Sequence, residues 1–537
     1  MRHQAFWTYA YDLGTFDQGI WLAGHSSDQF VTVRGLHLLG DHVRVLSYVL
    51  APIYWIWDDV RFLLILQSVA IAAGSLVLFR IGRLELPEHP GAVLAVCASY
   101  LLNPAVQNLN LDHAHPEAFG QTFILASIYF LRTSRPLAFG IAAGLAMSCK
   151  EDVPLVYVAL GLWTAWQGQR VFGLSVAAVA GLYFAACLLV ILPYFNGVGF
   201  FRAAGTQLLS ESVRRWYDVG WLAARFLHAE ALGYYFRLGL PLAFLFVLSP
   251  TILVAAVPAL SANMLSLAVY QRTIDYHYTT SIVPFLYVAT IFSLRKLARG
   301  EPVLSVPGGP VLRVARVSPS VMAVLVILPA SVVAQEMFAK LGLSDTASLR
   351  QTIESGLHPR NREIREMLRR IPADASVSAH YSLVPHLSHR RRIYYFPNPF
   401  RSQNWGIREE SPHDPETIEY IAAVRKPGAP VDPVVQHQLD EGFFRHFLGD
   451  DRTTIYERVS TSAYDERASC GDWNGDGKIE RLDVNRLRDA IGQKRDCPLA
   501  VCDMDGNGKV TIMDLARIQR FVELGQGAMS CPPPSRP

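Results

Sequence analysis

The sequence predicts an α-helical polytopic membrane protein that carries a small α/β domain and a short all-α module near its C-terminus. Three observations predict it. Hydrophobic residues make up 51% of the chain and charged residues only 18%, where soluble domains carry about 25% charge. Long uncharged runs are confined to residues 1–336, whereas 337–537 mix charges, prolines and turn residues throughout. Of the seven cysteines, Cys470, Cys497, Cys502 and Cys531 gather in the last stretch. A net charge of +3 over 537 residues argues against a nucleic-acid partner.

Residues 1–60 read as a first outer loop, with an interfacial helix at 45–57 (VLSYVLAPIYWIW) interrupted by Pro52. A span needs about 20 mostly apolar residues, because hydrocarbon cannot satisfy backbone polar groups. Ten segments of the 61–336 body qualify or nearly so: 62–80, 91–106, 117–132, 137–149, 153–167, 171–194, 232–248, 250–269, 281–294 and 318–336. Alternate connections hold Arg80 and Arg83, then Arg132 and Arg135, then Arg170, then Arg295, Lys296, Arg299, Arg313 and Arg316. By the positive-inside rule these are cytoplasmic. The chain is therefore expected in the inner cell membrane, among membrane lipids, with everything after residue 337 outside. Clustered cysteines suit that oxidising side. An outer N-terminus also needs a preceding signal or helix, and Met1-Arg-His-Gln is neither, so a further span is expected upstream.

Residues 337–460 read as an extracytoplasmic α/β domain: two amphipathic helices, then strand, helix and strand through ASVSAHYSLVPHLSHRRRIYYF, and a late strand at TTIYERV. The HRRR run at 389–392 reads as a solvated charge cluster. A linker at 461–469 leads into the module at 470–531.

That module contains two twelve-residue loops with oxygen ligands at the spacing of a calcium site. The first uses Asp472, Asn474, Asp476, the Lys478 carbonyl and Asp483, with Gly477 at the sharp turn. The second uses Asp503, Asp505, Asn507, the Lys509 carbonyl and Asp514. Each precedes an amphipathic helix, as in an EF-hand. With Asp rather than Glu at the last position, residues 470–526 resemble the type I dockerin repeat. The resemblance implies two calcium ions and, as a possible partner, a cohesin-like module. The usual Ser-Thr recognition pair is replaced by Arg481-Leu482 and Ile512-Met513. Four cysteines allow three pairings; a local Cys497–Cys502 loop and a Cys470–Cys531 clasp are expected.

Polar residues beside spans are functional candidates because burying them in lipid is costly. Four clusters fall on the predicted outer side: YDLGTFDQ with Asp12 and Asp17; Asp112, His113, His115 and Glu117; Lys150, Glu151 and Asp152; and QRTIDYHY with Arg272 and His277. Each has a plainer reading as a helix cap, a dipole partner or an interfacial anchor. Together, over residues 5–460, the YDLGxFDQ, HPEA, KED and QRxxxYHY motifs resemble a family of predicted bacterial membrane proteins of unknown function. That family in turn resembles the GT-C glycosyltransferases, which take sugar from a polyprenyl-phosphate carrier. The resemblance implies Asp17 or Asp12 as base, with Asp112, His115 and Glu117 shaping the site or holding a divalent metal. Lys150, Glu151, Asp152, Arg272 and His277 would then bind the donor. A non-enzymatic anchor whose tail docks a surface partner is the alternative.

Overall fold

The structure, a computed structural model, describes residues 1–198, 215, 217–305, 311–313, 315–407, 410, 412–459, 470–472, 479, 481–492, 499–504 and 509–524. The chain divides into two units, one of residues 1–374 with 381–413 and one of 375–380 with 414–537. The segment expected to form one domain at 337–460 is thus shared between them.

The first unit is a helical body. Pro90, Pro104, Pro116 and Pro136 each open a helix, a position where proline's missing N–H costs nothing. About ten spans were expected. By length and composition three helices qualify, Val60–Glu85, Arg170–Asn196 and Pro319–Phe338, or four if Pro90–Leu102 and Pro104–Leu111, bent by 43°, count as one. The remaining segments are helical but short or broken. Pro136–Met147 has 12 residues and Val153–Trp166 has 14; at 1.5 Å per residue neither reaches across about 30 Å of hydrocarbon. The expected 232–248 span ends at Gly239, passes through a 3-10 turn at Leu240–Leu242, and reverses at Ala243 (φ 47°) and Phe244 (φ 58°). Gly239 is required there, since a Cβ would stand 2.2 Å from the Phe244 ring. The carbonyl freed at Pro241 accepts bonds from Ser331 Oγ at 2.7 Å and Ser99 Oγ at 3.3 Å.

Helix Val283–Arg299 is apolar on nearly every face and buried accordingly. Its Tyr287 hydroxyl meets Asn103 Nδ2 and Ser99 Oγ, each at 3.1 Å. At the other end of the bundle the buried Glu85 carboxylate holds Arg132 at 2.8 Å and Arg295 at 2.5 Å. Three of the arginine-bearing segments assigned to the cytoplasmic side therefore meet at one end. Leu76, Val171, Leu182 and Leu189 stand outward and exposed, as a lipid-facing surface requires. The 45–57 segment is helical over Leu46–Trp55, an α-helix at Leu46–Leu50 running into a 3-10 helix at Ala51–Trp55.

In the second unit, strand Tyr420–Val424 lies between parallel Val377–Ala379 and antiparallel Thr453–Arg458, and Phe444–Gly449 pairs beyond the last. Helix Pro433–Asp440 accompanies them. The tail contributes helices Arg481–Gly492, Leu499–Cys502 and Ile512–Leu524. They enclose a separate small core around Val484, Leu487, Val501, Met504 and Ile518. Cys97, Cys149 and Cys187 are free thiols. Cys497 and Cys531 lie outside the described residues, so the expected pairing is not tested there.

Helices Val153–Trp166 and Arg170–Ala186 approach backbone to backbone. A Cβ on Gly173 would meet the Gly161 carbonyl and the Ala165 nitrogen at 2.4 Å, and neither can yield, whereas Gly140 has nothing within 4 Å. Small residues permit such approaches in membrane proteins. Gly173→Val is expected to destabilise the body by about 1–3 kcal/mol through overpacking, and Gly140→Ala to be neutral. Thermal unfolding of the detergent-solubilised chain reads both, and equal midpoints would refute this account of the contact.

Candidate functional site

The polar clusters are drawn together by amides. Gln67 of the long Val60–Glu85 helix accepts from the His115 backbone N–H at 2.7 Å and donates to the His113 carbonyl at 3.2 Å. This pins the loop ahead of helix Pro116–Arg132. Asn108 donates to the carbonyls of Phe338 at 3.1 Å and Ile274 at 3.4 Å, bringing the QRTIDYHY segment against the same loop. Asn263 Nδ2 holds the Tyr278 carbonyl at 2.9 Å.

On this frame, Asp112, His115 and His277 place ligand-capable atoms within 4.8 Å of one another. His115 Nε2 lies 3.5 Å from Asp112 Oδ2, and the His115 and His277 rings are 4.2 Å apart. Asp112 Oδ2, both His115 nitrogens, Glu117 Oε2 and His277 Nδ1 are buried without a hydrogen bond. Such groups are costly unless something completes them. Burial works against charge on His115, but the Asp112 carboxylate 3.5 Å away and the charges of Asp12 and Glu117 raise its pKa nonetheless. Burial and the His115 charge together push His277 well below the usual range. The two imidazoles are thus electrostatically divided, one favouring the cation and the other the neutral ring.

Around them, Arg44 donates to Glu117 Oε1 through Nη2 at 3.1 Å and Nε at 3.2 Å, with both residues buried. Glu151 is likewise buried; it accepts from the Val43 N–H at 3.0 Å and meets His42 Nδ1 at 2.6 Å. Lys150 Nζ lies 3.3 Å from the half-exposed Asp152 carboxylate and 5.7 Å from the centre of the Tyr278 ring. Despite burial, the carboxylates of Asp152, Glu117 and Glu151 keep its pKa above the ordinary value. A small cavity of about 40 Å³ is lined by Glu117, Lys150, Asp152, His277 and Tyr278. Arg272 stands apart: its guanidinium bonds the Ser266 carbonyl at 2.6 Å and pairs with Glu230 at 3.6 Å, on another cavity.

Asp12 and Asp17 go separate ways. Asp12 has a left-handed backbone (φ 65°, ψ −92°), a strained geometry for a non-glycine residue that clusters at functional sites. Its charge acts on His113, His115 and Tyr278. Asp17 is fully buried elsewhere. Tyr54 Oη donates to its Oδ1 and Ser388 Oγ to its Oδ2. His389 bridges Asp17, at 3.1 Å through Nε2, and Asp58, at 2.6 Å through Nδ1. The 389–392 run is therefore not simply a solvated cluster, because His389 and Arg390 are built into the interior; Arg390 is 5% exposed. Arg44, Tyr54, Ser388 and His389 carry no sequence motif. Of these, Arg44 had a signal as a lone cation beside the apolar VLSYVL run, and His389 only as the head of the HRRR charge run.

In the tail, Asp472, Asp483, Asp503 and Asp514 are all buried. Four buried carboxylates in so small a module, from the first and last positions of both loops, fit a hard cation. Lys509 is described, whereas Asn474, Asp476, Lys478, Asp505 and Asn507 lie outside the described residues.

Residues 2–437 match the family described as predicted membrane protein (DUF2079), and residues 470–523 match the dockerin type I domain. No curated protein matches. Among solved structures, ArnT from Cupriavidus metallidurans is similar at 13% identity, covering 84% of this chain and 94% of its own. The TM-score is 0.44 for the form bound to undecaprenyl phosphate and 0.47 for the apo form.

His389 gives a pH signature. Burial opposes its charge, but Asp17 and Asp58 push its pKa up to about 10, against about 6.5 when unfolded. A raised folded pKa means that its contribution is complete below about pH 6.5 and is lost as pH climbs through about 10. Unfolding midpoints measured across that window should fall more steeply for the parent than for His389→Gln, by the equivalent of about one proton. Parallel curves would contradict this.

Proposed function

Because the chain belongs to the DUF2079 family of predicted membrane proteins, we propose that its outer polar centre transfers sugar from a polyprenyl-phosphate donor, as a GT-C-like glycosyltransferase. The observation that carries this is the convergence of Asp112, His115, Glu117, Lys150 and His277, with several buried polar atoms left unsatisfied. In the reaction an acceptor hydroxyl attacks the anomeric carbon. The bond from that carbon to the carrier phosphate breaks, and the phosphate leaves with the electron pair. Lys150, fixed and cationic, neutralises the departing charge. A carboxylate takes the hydroxyl proton. Asp12 suits that role better than Asp17: it is strained, half-buried and electrostatically coupled to His115, whereas both Asp17 oxygens are already engaged. Glu117 holds Arg44, Glu151 holds His42, and Asp152 steadies Lys150. Arg272 would act from the neighbouring cavity.

Asp112, His115 and His277 also fit a divalent cation, by donor type and by their unsatisfied atoms. Such an ion would supply Lewis-acid stabilisation of phosphate charge.

The reading also puts the site and the tail outside the inner membrane, with calcium in both tail loops and disulfides among Cys470, Cys497, Cys502 and Cys531. The dockerin match favours one further role, docking onto a cohesin-like partner, and this would also serve a protein acting only as an anchor.

Asp12→Asn should lower lipid-linked sugar turnover by about 10²–10⁴-fold, the usual worth of a positioned base, while leaving the melting midpoint intact. Asp17→Asn should instead lower the midpoint. An active Asp12→Asn enzyme would exclude this assignment. For the tail, calcium chelation or Asp483→Ala is expected to make residues 470–524 protease-sensitive in the full chain, and unchanged cleavage would rule out calcium-dependent folding.

A further inference from the structure

A cleft of about 340 Å³ lies apart from the lining of the proposed transfer centre, walled by residues of the N-terminal loop, helix Pro359–Leu368 and the 385–390 segment. Its charges do not balance. Four arginines line it (Arg61, Arg365, Arg369 and Arg390) against two carboxylates, Asp58 and Asp59. Both carboxylates are spoken for: Asp59 grips Arg61 through two bonds of 2.8 and 2.6 Å, and Asp58 holds His389 at 2.6 Å. Arg390 is buried and donates to the carbonyls of Leu387 and Pro372. Arg365 spends one N–H on the Gln4 carbonyl. Among the described residues, no ion pair forms on Arg365 or Arg369.

One wall also carries His386, stacked on His3 at 3.9 Å, with its Nε2 buried and without a hydrogen bond. Burial and the nearby positive charges keep both imidazoles in the neutral form at ordinary pH. Arg365 feels burial first and then the like charges of Arg369, Arg362 and Arg61. A site with forked, unpaired guanidinium groups and a spare imidazole nitrogen is complementary to a tetrahedral oxyanion.

We propose that this cleft is a second anion site that takes a phosphate group, with Arg365 and Arg369 on its oxygens and His386 Nε2 bonding a further one. The site stands independently of the glycosyltransferase reading. The phosphate could be that of a lipid headgroup or of a soluble ester, since the chemistry is shared.

The test is calorimetric titration of inorganic phosphate into the detergent-solubilised full chain, against chloride at matched ionic strength. In Lys150→Gln the cleft should still bind phosphate with the affinity it has in the parent, whatever heat the transfer centre adds in the parent. Phosphate should bind about tenfold more weakly to Arg365→Gln and to Arg369→Gln, the equivalent of one charged hydrogen bond. Arg369 is exposed, so its variant should fold normally and keep the measurement decisive. Nanodiscs containing phosphatidic acid then identify the source: competition with inorganic phosphate assigns a lipid headgroup and its absence a soluble ester, and either supports the site. No phosphate heat in the parent, an isotherm unchanged by Arg369→Gln, or binding lost in Lys150→Gln instead would overturn the proposal. Retained binding in Lys150→Gln also separates the fate of this site from that of the transfer centre.

Discussion

The polar end of the helical body depends on one buried ion pair, Arg44 with Glu117. Both groups are withdrawn from water, and removing either would strand the other at a cost of about 3–5 kcal/mol. The pair therefore acts as a constraint on geometry more than as a source of stability. Arg44 belongs to the N-terminal loop and Glu117 to the first turn of a body helix. The same stretch of loop commits His42 and the Val43 amide to Glu151, at the approach to another helix. Arg44 also covers the Phe16 ring at 4.4 Å, and that ring packs edge-on against His115. The loop is thereby fixed over the histidines, and the remaining polar contacts follow from its position.

Because the loop is fixed, the short YDLGTFDQ stretch serves two environments. The charge of Asp12, where the backbone has a positive φ, is felt by His113 and His115, while the helix beginning at Thr15 carries Asp17 into a closed network of hydroxyls and an imidazolium. Low dielectric strengthens both arrangements but in different ways. Around Asp17 every oxygen is satisfied, which gives rigidity. Around His115 several atoms are not, which leaves capacity for a reacting group.

Much of the body could be read from the chain because its signals are local. Apolar runs opened by prolines gave many of the helices, and the polar motifs at their ends did gather, since each lies where a helix must start or stop. What resisted reading was long-range or conformational. Ser388 reaches Asp17 across 371 residues of sequence with no motif to announce it. Asp12 and Asp17 lie little more than a helical turn apart, and only the positive φ at Asp12 separates their fates. The 232–248 stretch looks like a span by hydropathy, but its break depends on Gly239 and Pro241 acting together with a ring that must fit beside them. The 389–392 run divides for a similar reason: Arg391 and Arg392 are exposed as expected, but charge density could not announce the partner, Asp17, that draws His389 inward.

The reversal after Gly239 has a bearing on how the chain assembles. The Pro241 carbonyl it exposes takes its shorter bond from Ser331, 90 residues further along the chain. An apolar surrounding offers no water as a partner, so until the helix carrying Ser331 is laid beside it this corner has only the longer bond from Ser99, at 3.3 Å. Biogenesis of the body thus has a late closing step, in which the helix ending at Phe338 completes a turn made much earlier.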